Sequence, residues 1–159
     1  MSLKSFAGLL LAIVLCQAAG IIGALATARS VSQWYPTLTK PPLTPPDWVF
    51  GPVWITLYVM MAVAIWLTWN RLPDAGRLMQ PVIWLFAAQL ILNAAWSIVF
   101  FGMQSPVGGM FIIVPLFLLI LLTLVRMAPV SPAAAWLMVP YLAWVGFATW
   151  LNGGIAWLN

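Results

Sequence analysis

The sequence predicts an all-α membrane protein, a bundle of five transmembrane helices with a long proline-rich first loop. Three observations carry this. Hydrophobic types make up 65% of the 159 residues and charged types only 5%, with six Lys or Arg, two Asp or Glu and no His. Soluble domains carry roughly 25% charged residues, so this chain cannot coat a water-facing surface. Disordered chains are poor in apolar residues and rich in charge, which excludes disorder as well. The apolar residues also fall into five runs, each close to the ~20 residues that cross a bilayer as a helix.

The first run, Ser5 to Thr27, carries no charge. A signal peptide is a poor reading of it, because its apolar stretch exceeds the usual ~7–15 residues. The second, Trp48 to Trp69, is opened by Pro45-Pro46-Asp47, with Asp47 placed as an N-cap. The third runs from Met79 to Phe101 and stops at Gly102; the fourth runs from Val107 to Met127, with Arg126 at its end. The fifth runs from Ala133 to Leu158. Pro115 and Pro140 each remove a helical amide proton, freeing the carbonyls of Phe111 and Trp136 and predicting kinks. The whole chain, 1–159, reads as a single domain.

The connections between spans three and four and between four and five are short, which makes those neighbours antiparallel. The first connection, 28–46, is longer and holds Trp34, Tyr35 and five prolines. Its stiff prolines and aromatics argue for an ordered cap; the alternative is a linker lying on the headgroups. Lys4, Arg71, Arg77 and Arg126 share one side of the membrane, against Arg29 and Lys40 on the other. The positive-inside rule then puts the N-terminus in the cytoplasm, with the long loop and the C-terminus outside. The net charge of +4 suits anionic lipid or an anionic ligand. It is also an ordinary topology signal, and no nucleic-acid partner is expected.

Helical spacing sorts the residues into faces. Ala12, Cys16, Gly20, Ala24 and Ala28 recur every fourth position, a small-residue strip suited to close helix packing, and Gly23 widens it. Gln89, Asn93, Trp96 and Phe100 share one face of span three. Two amides in hydrocarbon need partners. They either bond neighbouring helices or serve a ligand. Span two offers Trp54 and Tyr58, and span five offers Tyr141, Trp144, Ala148 and Leu151. Inward Trp and Tyr beside amides resemble an apolar pocket with a few polar groups, and flat aromatic walls suit a large planar ligand. Trp66, Trp69, Trp136 and Trp157 lie near helix ends, as belt anchors do.

No catalytic constellation emerges. Both acids, Asp47 and Asp74, lie at or outside the membrane boundary, and no span carries Asp, Glu, Lys or His in its interior. Proton-coupled export normally needs such a group. A single Cys and no His leave no metal site. No required cofactor is expected.

The stretch Trp34-Tyr35-Pro36-Thr37-Leu38-Thr39-Lys40-Pro41-Pro42-Leu43-Thr44-Pro45-Pro46, then Trp48-Val49-Phe50, Val53-Trp54 and Leu57-Tyr58, resembles the signature of the TspO/MBR family. These are the tryptophan-rich sensory or translocator proteins, also called peripheral-type benzodiazepine receptors. Gln89-Leu90-Ile91-Leu92-Asn93-Ala94-Ala95-Trp96 with Phe100-Phe101-Gly102 agrees, as does Val139-Pro140-Tyr141-Leu142-Ala143-Trp144 with Ala148-Thr149-Trp150-Leu151-Asn152. The resemblance covers essentially the whole chain.

It implies a five-helix bundle, often a homodimer, whose pocket under the first loop takes protoporphyrin IX, haem-related tetrapyrroles and synthetic benzodiazepine-type ligands. Matched by motif, pocket positions are Trp54, Asn93, Trp144 and Ala148, with Gln89, Tyr58, Trp48, Trp34 and Trp96 as neighbours. The helix faces add Phe100, Tyr141 and Leu151. Trp34, Tyr35, Lys40 and Pro41 would form a lid. Some bacterial members degrade protoporphyrin in light, a reaction linked to the tryptophans matching Trp54 and Trp144, which makes weak enzymatic activity an alternative to binding alone. A regulatory membrane partner with an incidental pocket is a further alternative. The animal cholesterol motif has no counterpart, since Leu151 to Asn159 lacks both Tyr and a basic residue. The ending resembles a bacterial member, and a bacterial cell membrane is the expected location.

Overall fold

The computed structural model describes residues 3–159. Five helices long and apolar enough to cross a membrane account for most of them, and among the described residues there is no strand. They are α1 (Leu3–Gln33), α2 (Phe50–Arg71), α3 (Pro81–Ser97), α4 (Pro106–Met127) and α5 (Pro132–Leu158). The protein is a multi-pass integral membrane protein. Large apolar side chains such as Leu11, Val14, Phe111 and Leu118 stand on the outside, as lipid requires.

Helix starts follow local chemistry. Pro81, Pro106 and Pro132 each occupy the first turn of a helix, where a missing N–H costs nothing. Ser105 caps α4 by accepting from the Gly108 N–H at 3.1 Å, and Ser131 caps α5 by accepting from the Ala134 N–H at 3.3 Å. Arg71, at the end of α2, donates to the same Ser131 hydroxyl and ties the two connections together. α4 and α5 run unbroken through Pro115 and Pro140.

Two boundaries differ from the hydropathy pattern. α1 continues past Thr27 to Gln33. The segment Ala28–Gln33 is polar but contains no Gly or Pro, so the helix outlasts the hydrocarbon. Its last turns are held by Ser30, whose hydroxyl donates to the Phe101 carbonyl at 2.5 Å. Asp47 does not cap α2. It begins a 3₁₀ turn, Asp47–Val49, that leads into the helix without a side-chain cap, and its carboxylate faces Lys40 at 3.9 Å. α3 ends in a π-helical turn, Ile98–Gly102, closed by the Met103 N–H on the Ile98 carbonyl at 2.8 Å. Such turns recur at functional sites because they re-aim side chains, here Phe100 and Phe101.

Neighbouring helices close a ring in the order α1, α2, α5, α4, α3. The small strip of α1 permits close approach on both sides. Gly20 lies against the Tyr58 ring of α2, and Gly23 lies against Ser97 of α3. The first loop leaves α1, crosses to the far end of α5 and returns to α2. Pro41 packs on Gly154, and the Asn159 side chain brackets Thr39, accepting from its N–H at 2.9 Å and donating to its carbonyl at 3.0 Å.

Candidate functional site

The middle of the bundle is wired by one hydrogen-bond chain. The Tyr58 hydroxyl donates to Asn93 Oδ1 at 2.5 Å, Asn93 Nδ2 donates to the Tyr141 hydroxyl at 3.0 Å, and Tyr141 donates to Gln89 Oε1 at 2.8 Å. The two amides are 0% and 1% exposed. The i, i+4 spacing of Gln89 and Asn93 aligns them on α3, while α2 and α5 each bring one phenol to meet them. Interhelical bonds of this kind contribute on average ~0.6 kcal/mol each in a membrane. Their larger effect is to fix the register of three helices. A second chain runs from Trp96 Nε1 to Asn152 Oδ1 at 3.0 Å, and from Asn152 Nδ2 to the Pro106 carbonyl at 2.7 Å. Among the described residues, two buried donors make no hydrogen bond, Gln89 Nε2 and Trp144 Nε1.

Beside the first chain the aromatic rings form a continuous wall. Trp54 stacks on Tyr58 with centroids 5.6 Å apart, and lies 6.4 Å from Trp96 and 6.3 Å from Tyr141. Trp96 stacks on Phe100 at 5.6 Å, and Phe100 meets Phe101 at 4.7 Å and Trp34 at 5.7 Å. This wall borders a cavity of about 370 Å³ bounded by α1, α2, the end of α3 and the start of the first loop. Trp54, Tyr58, Trp96, Phe50 and Phe101 supply its aromatic side; Gly20, Gly23, Ala24 and Thr27 supply its α1 side. The exposed Ile21 and Ile55 also line it, so it opens along the α1–α2 seam. There Gln17 Nε2 donates to the Ile55 carbonyl at 3.3 Å.

Charge is confined to the loop end of the cavity. Asp47 and Tyr35 line it there. The Lys40 ammonium sits 4.0 Å above the Tyr35 ring and 3.9 Å from Asp47. Burial, with a smaller push from the Asp47 carboxylate, raises the Tyr35 phenol to about 12, so it stays neutral and donor-competent at ordinary pH.

The sequence-derived site residues thus divide. Trp54, Tyr58, Trp96 and Tyr35 line the cavity. Asn93, Gln89 and Tyr141 stand behind it in the hydrogen-bond chain. Phe100 and Trp34 back the wall through ring contacts. Trp144 meets Phe50 edge-on at 5.9 Å, so that ring stands between it and the cavity. Ala148 and Leu151 are buried on α5 and do not border the cavity. Trp48 points outward, 75% exposed. Of the other lid residues, Pro41 is buried on Gly154 and Lys40 is half-buried.

Sequence reasoning missed the α1 wall, Phe50, Phe101 and the buried Asn152. The small strip of α1 carried the signal for the wall: residues without bulk permit close packing and, where the neighbour recedes, leave space.

The model of the TspO/MBR family matches residues 12–158. The chain is 45% identical over 159 residues to the tryptophan-rich protein TspO of Chlorobaculum tepidum, covering 98% of each. It is 36% identical over 133 residues to the translocator protein of Bos taurus, covering 84% of this chain and 79% of that one. It is 34% identical over 137 residues to the tryptophan-rich sensory protein of Cereibacter sphaeroides, covering 86% and 82%. A five-helix bundle with this aromatic interior, matched by the family model over nearly its whole length, belongs to the TspO/MBR family.

Proposed function

We propose that this protein binds porphyrins, protoporphyrin IX or haem-related tetrapyrroles, in the aromatic cavity beneath the first loop, and acts in sensing, carrying or limiting them. The observation that carries this is the cavity wall, in which Trp54, Tyr58 and Trp96 form a run of rings with almost no free hydrogen-bonding group between them. Such a wall recognises flat apolar area, each aromatic contact adding ~0.5–1.5 kcal/mol beyond burial. The volume of about 370 Å³ lies near the lower end of the ~300–1,000 Å³ typical of ligand pockets. The macrocycle therefore extends along the α1–α2 seam, with its propionate edge toward Lys40. The chain has no His to ligate iron, so the metal-free ring binds at least as well as haem. Relatives named for translocation and for sensing fit this role. The same proposal includes a bacterial cell membrane, a cytoplasmic N-terminus, a homodimer and a capacity for flat synthetic ligands of the benzodiazepine type.

The test is a titration of protoporphyrin IX against intrinsic Trp fluorescence, wild type beside Trp54→Phe. Saturable quenching at micromolar concentration, weakened several-fold in the variant, is the expected result. No quenching in the wild type refutes binding.

A second reading is light-driven porphyrin breakdown. The observation favouring it is that Trp54, an oxidisable ring at the cavity, lies in contact with both Tyr58 and Trp96. Porphyrin absorbance followed in light and in darkness separates the two. Turnover beyond one equivalent, abolished in Trp54→Phe with Trp144→Phe while the fold persists, favours the enzyme.

A further inference from the structure

We infer that Asn152 is a positioning residue of the aromatic cavity: it fixes the plane of the Trp96 indole and thereby sets how closely a flat ligand stacks there. This rests on the proposed porphyrin site. Asn152 is 1% exposed, lies on α5 and does not border the cavity. Its Oδ1 accepts from Trp96 Nε1 at 3.0 Å, and its Nδ2 donates to the Pro106 carbonyl at 2.7 Å. The amide is therefore held from α4 and in turn holds a ring on α3.

α4 makes room for it. A Cβ built on Gly109 falls 2.6 Å from Asn152 Oδ1 and 3.0 Å from Phe100 Cδ2, so a residue with any side chain at 109 crowds both the amide and the ring that stacks on Trp96. Trp96 is 8% exposed and is the ring that joins Trp54 to Phe100 and Phe101. Torsion about its side-chain bonds would swing the indole edge into the cavity or away from it. A hydrogen bond at the far edge of the ring removes that freedom, since buried N–H donors are held to their acceptors. The bond also spends the only donor the indole has. Trp96 offers the ligand a face, not a hydrogen bond. Selection at this wall then follows planarity rather than polar groups.

The experiment uses the full-length protein in detergent and reads two quantities. One is the indole ¹H–¹⁵N resonance of Trp96, assigned by its loss in Trp96→Phe. The other is the dissociation constant for protoporphyrin IX from fluorescence quenching. Asn152→Leu keeps the branching and the number of heavy atoms and removes both polar atoms. The Trp96 indole proton then shifts upfield, and affinity falls about tenfold, the upper range for one lost hydrogen bond. Asn152→Asp, neutral when buried, still accepts from the indole and donates to the Pro106 carbonyl, and restores both readouts. In a Trp96→Phe background Asn152→Leu causes no further loss. Asn152→Ala removes the same two polar atoms with less bulk and gives the same shift if Asn152→Leu fails to fold. An unmoved indole resonance overturns the inference, as does an equal loss of affinity with and without the indole. A wild-type protein that binds no protoporphyrin overturns the ligand assignment instead, and the indole resonance still reports on the positioning.

Discussion

One methyl group on Gly20 should uncouple α1, α2 and α3. A Cβ built there falls 2.5 Å from Tyr58 Cε2, 2.8 Å from Cδ2 and 3.3 Å from Cζ. The ring cannot step aside cheaply, because Trp54 stacks on it at 5.6 Å and its hydroxyl is bonded to Asn93 at 2.5 Å. Overpacking of this kind costs ~1–3 kcal/mol. Tilting the ring also breaks the Tyr58–Asn93 bond, a further ~0.5–1.5 kcal/mol. Replacing a helical Gly with Ala returns up to about 1 kcal/mol. Gly20→Ala is therefore expected to destabilise the protein by about 1–3 kcal/mol, read as the shift of a reversible unfolding titration in mixed detergent.

A double-mutant cycle identifies the cause. In the wild type, Tyr58→Phe loses the hydrogen bond while keeping the ring. In the Gly20→Ala background that bond is already broken, so Tyr58→Phe costs nothing more and the two changes couple by about 1 kcal/mol. Tyr58→Leu removes the obstructing ring and should recover part of the Gly20→Ala loss. Additive effects, or a Gly20→Ala protein within 0.5 kcal/mol of wild type, the scatter of surface substitutions, would refute the close contact as the reason for glycine.

Two further outcomes follow from the loop. Asn159→Ala removes both hydrogen bonds to Thr39 and a third to the Ile155 carbonyl in the last turn of α5, all at an exposed chain end, so stability changes by less than about 0.5 kcal/mol while the Thr39 amide exchanges faster; an unchanged exchange rate rules out the bracket as a restraint. Tyr35 gives a pH dependence. Its phenol is raised in the folded protein from 10.0 to about 12, so the unfolded chain releases that proton first. Stability from Tyr35 is complete below pH 10 and is lost as pH rises toward 12, a difference on the order of 2–3 kcal/mol. The loss should be smaller by that amount in Tyr35→Phe, and an equal decline in both proteins would contradict the shift.

Hydropathy made the five helices legible, because a bilayer admits little else. It misplaced the end of α1, since Ala28–Gln33 leaves the hydrocarbon without leaving the helix and hydropathy reports only the former. The spacing of Gln89 and Asn93 put both on one face, and their need for partners was equally plain. The identity of those partners was not. It depends on the ring order of the helices, which brings Tyr58 of α2 and Tyr141 of α5 to the same amide. The π-helical turn left no mark in composition, yet it aims Phe100 and Phe101. The α1 strip was visible as a packing seam but not as a cavity wall, because a small residue creates space only where its neighbour recedes.

The hydrogen bonds also constrain what the cavity can recognise. Tyr58, Asn93 and Tyr141 bond one another, Tyr141 also donates to Gln89 Oε1 while Gln89 Nε2 is left without a partner, and Trp96 is committed to Asn152. Each bond that stabilises the bundle takes a donor or acceptor away from a ligand. What is left facing the space is mostly ring area, with Gln17, Thr27 and Ser97 as the uncharged polar side chains along it and charge confined to the loop end, where Lys40 and Asp47 are paired across 3.9 Å. A part-exposed pair at 3.9 Å is worth little, ~0–1 kcal/mol, and a ligand carboxylate can replace Asp47 at small cost. On the proposed function, then, a ligand earns affinity from flatness within the bundle and from an anionic edge at its mouth. A tetrapyrrole with propionates has both. A flat neutral drug has only the first, and its binding should survive Lys40→Met while that of protoporphyrin IX weakens; equal losses for the two would place the carboxylates elsewhere.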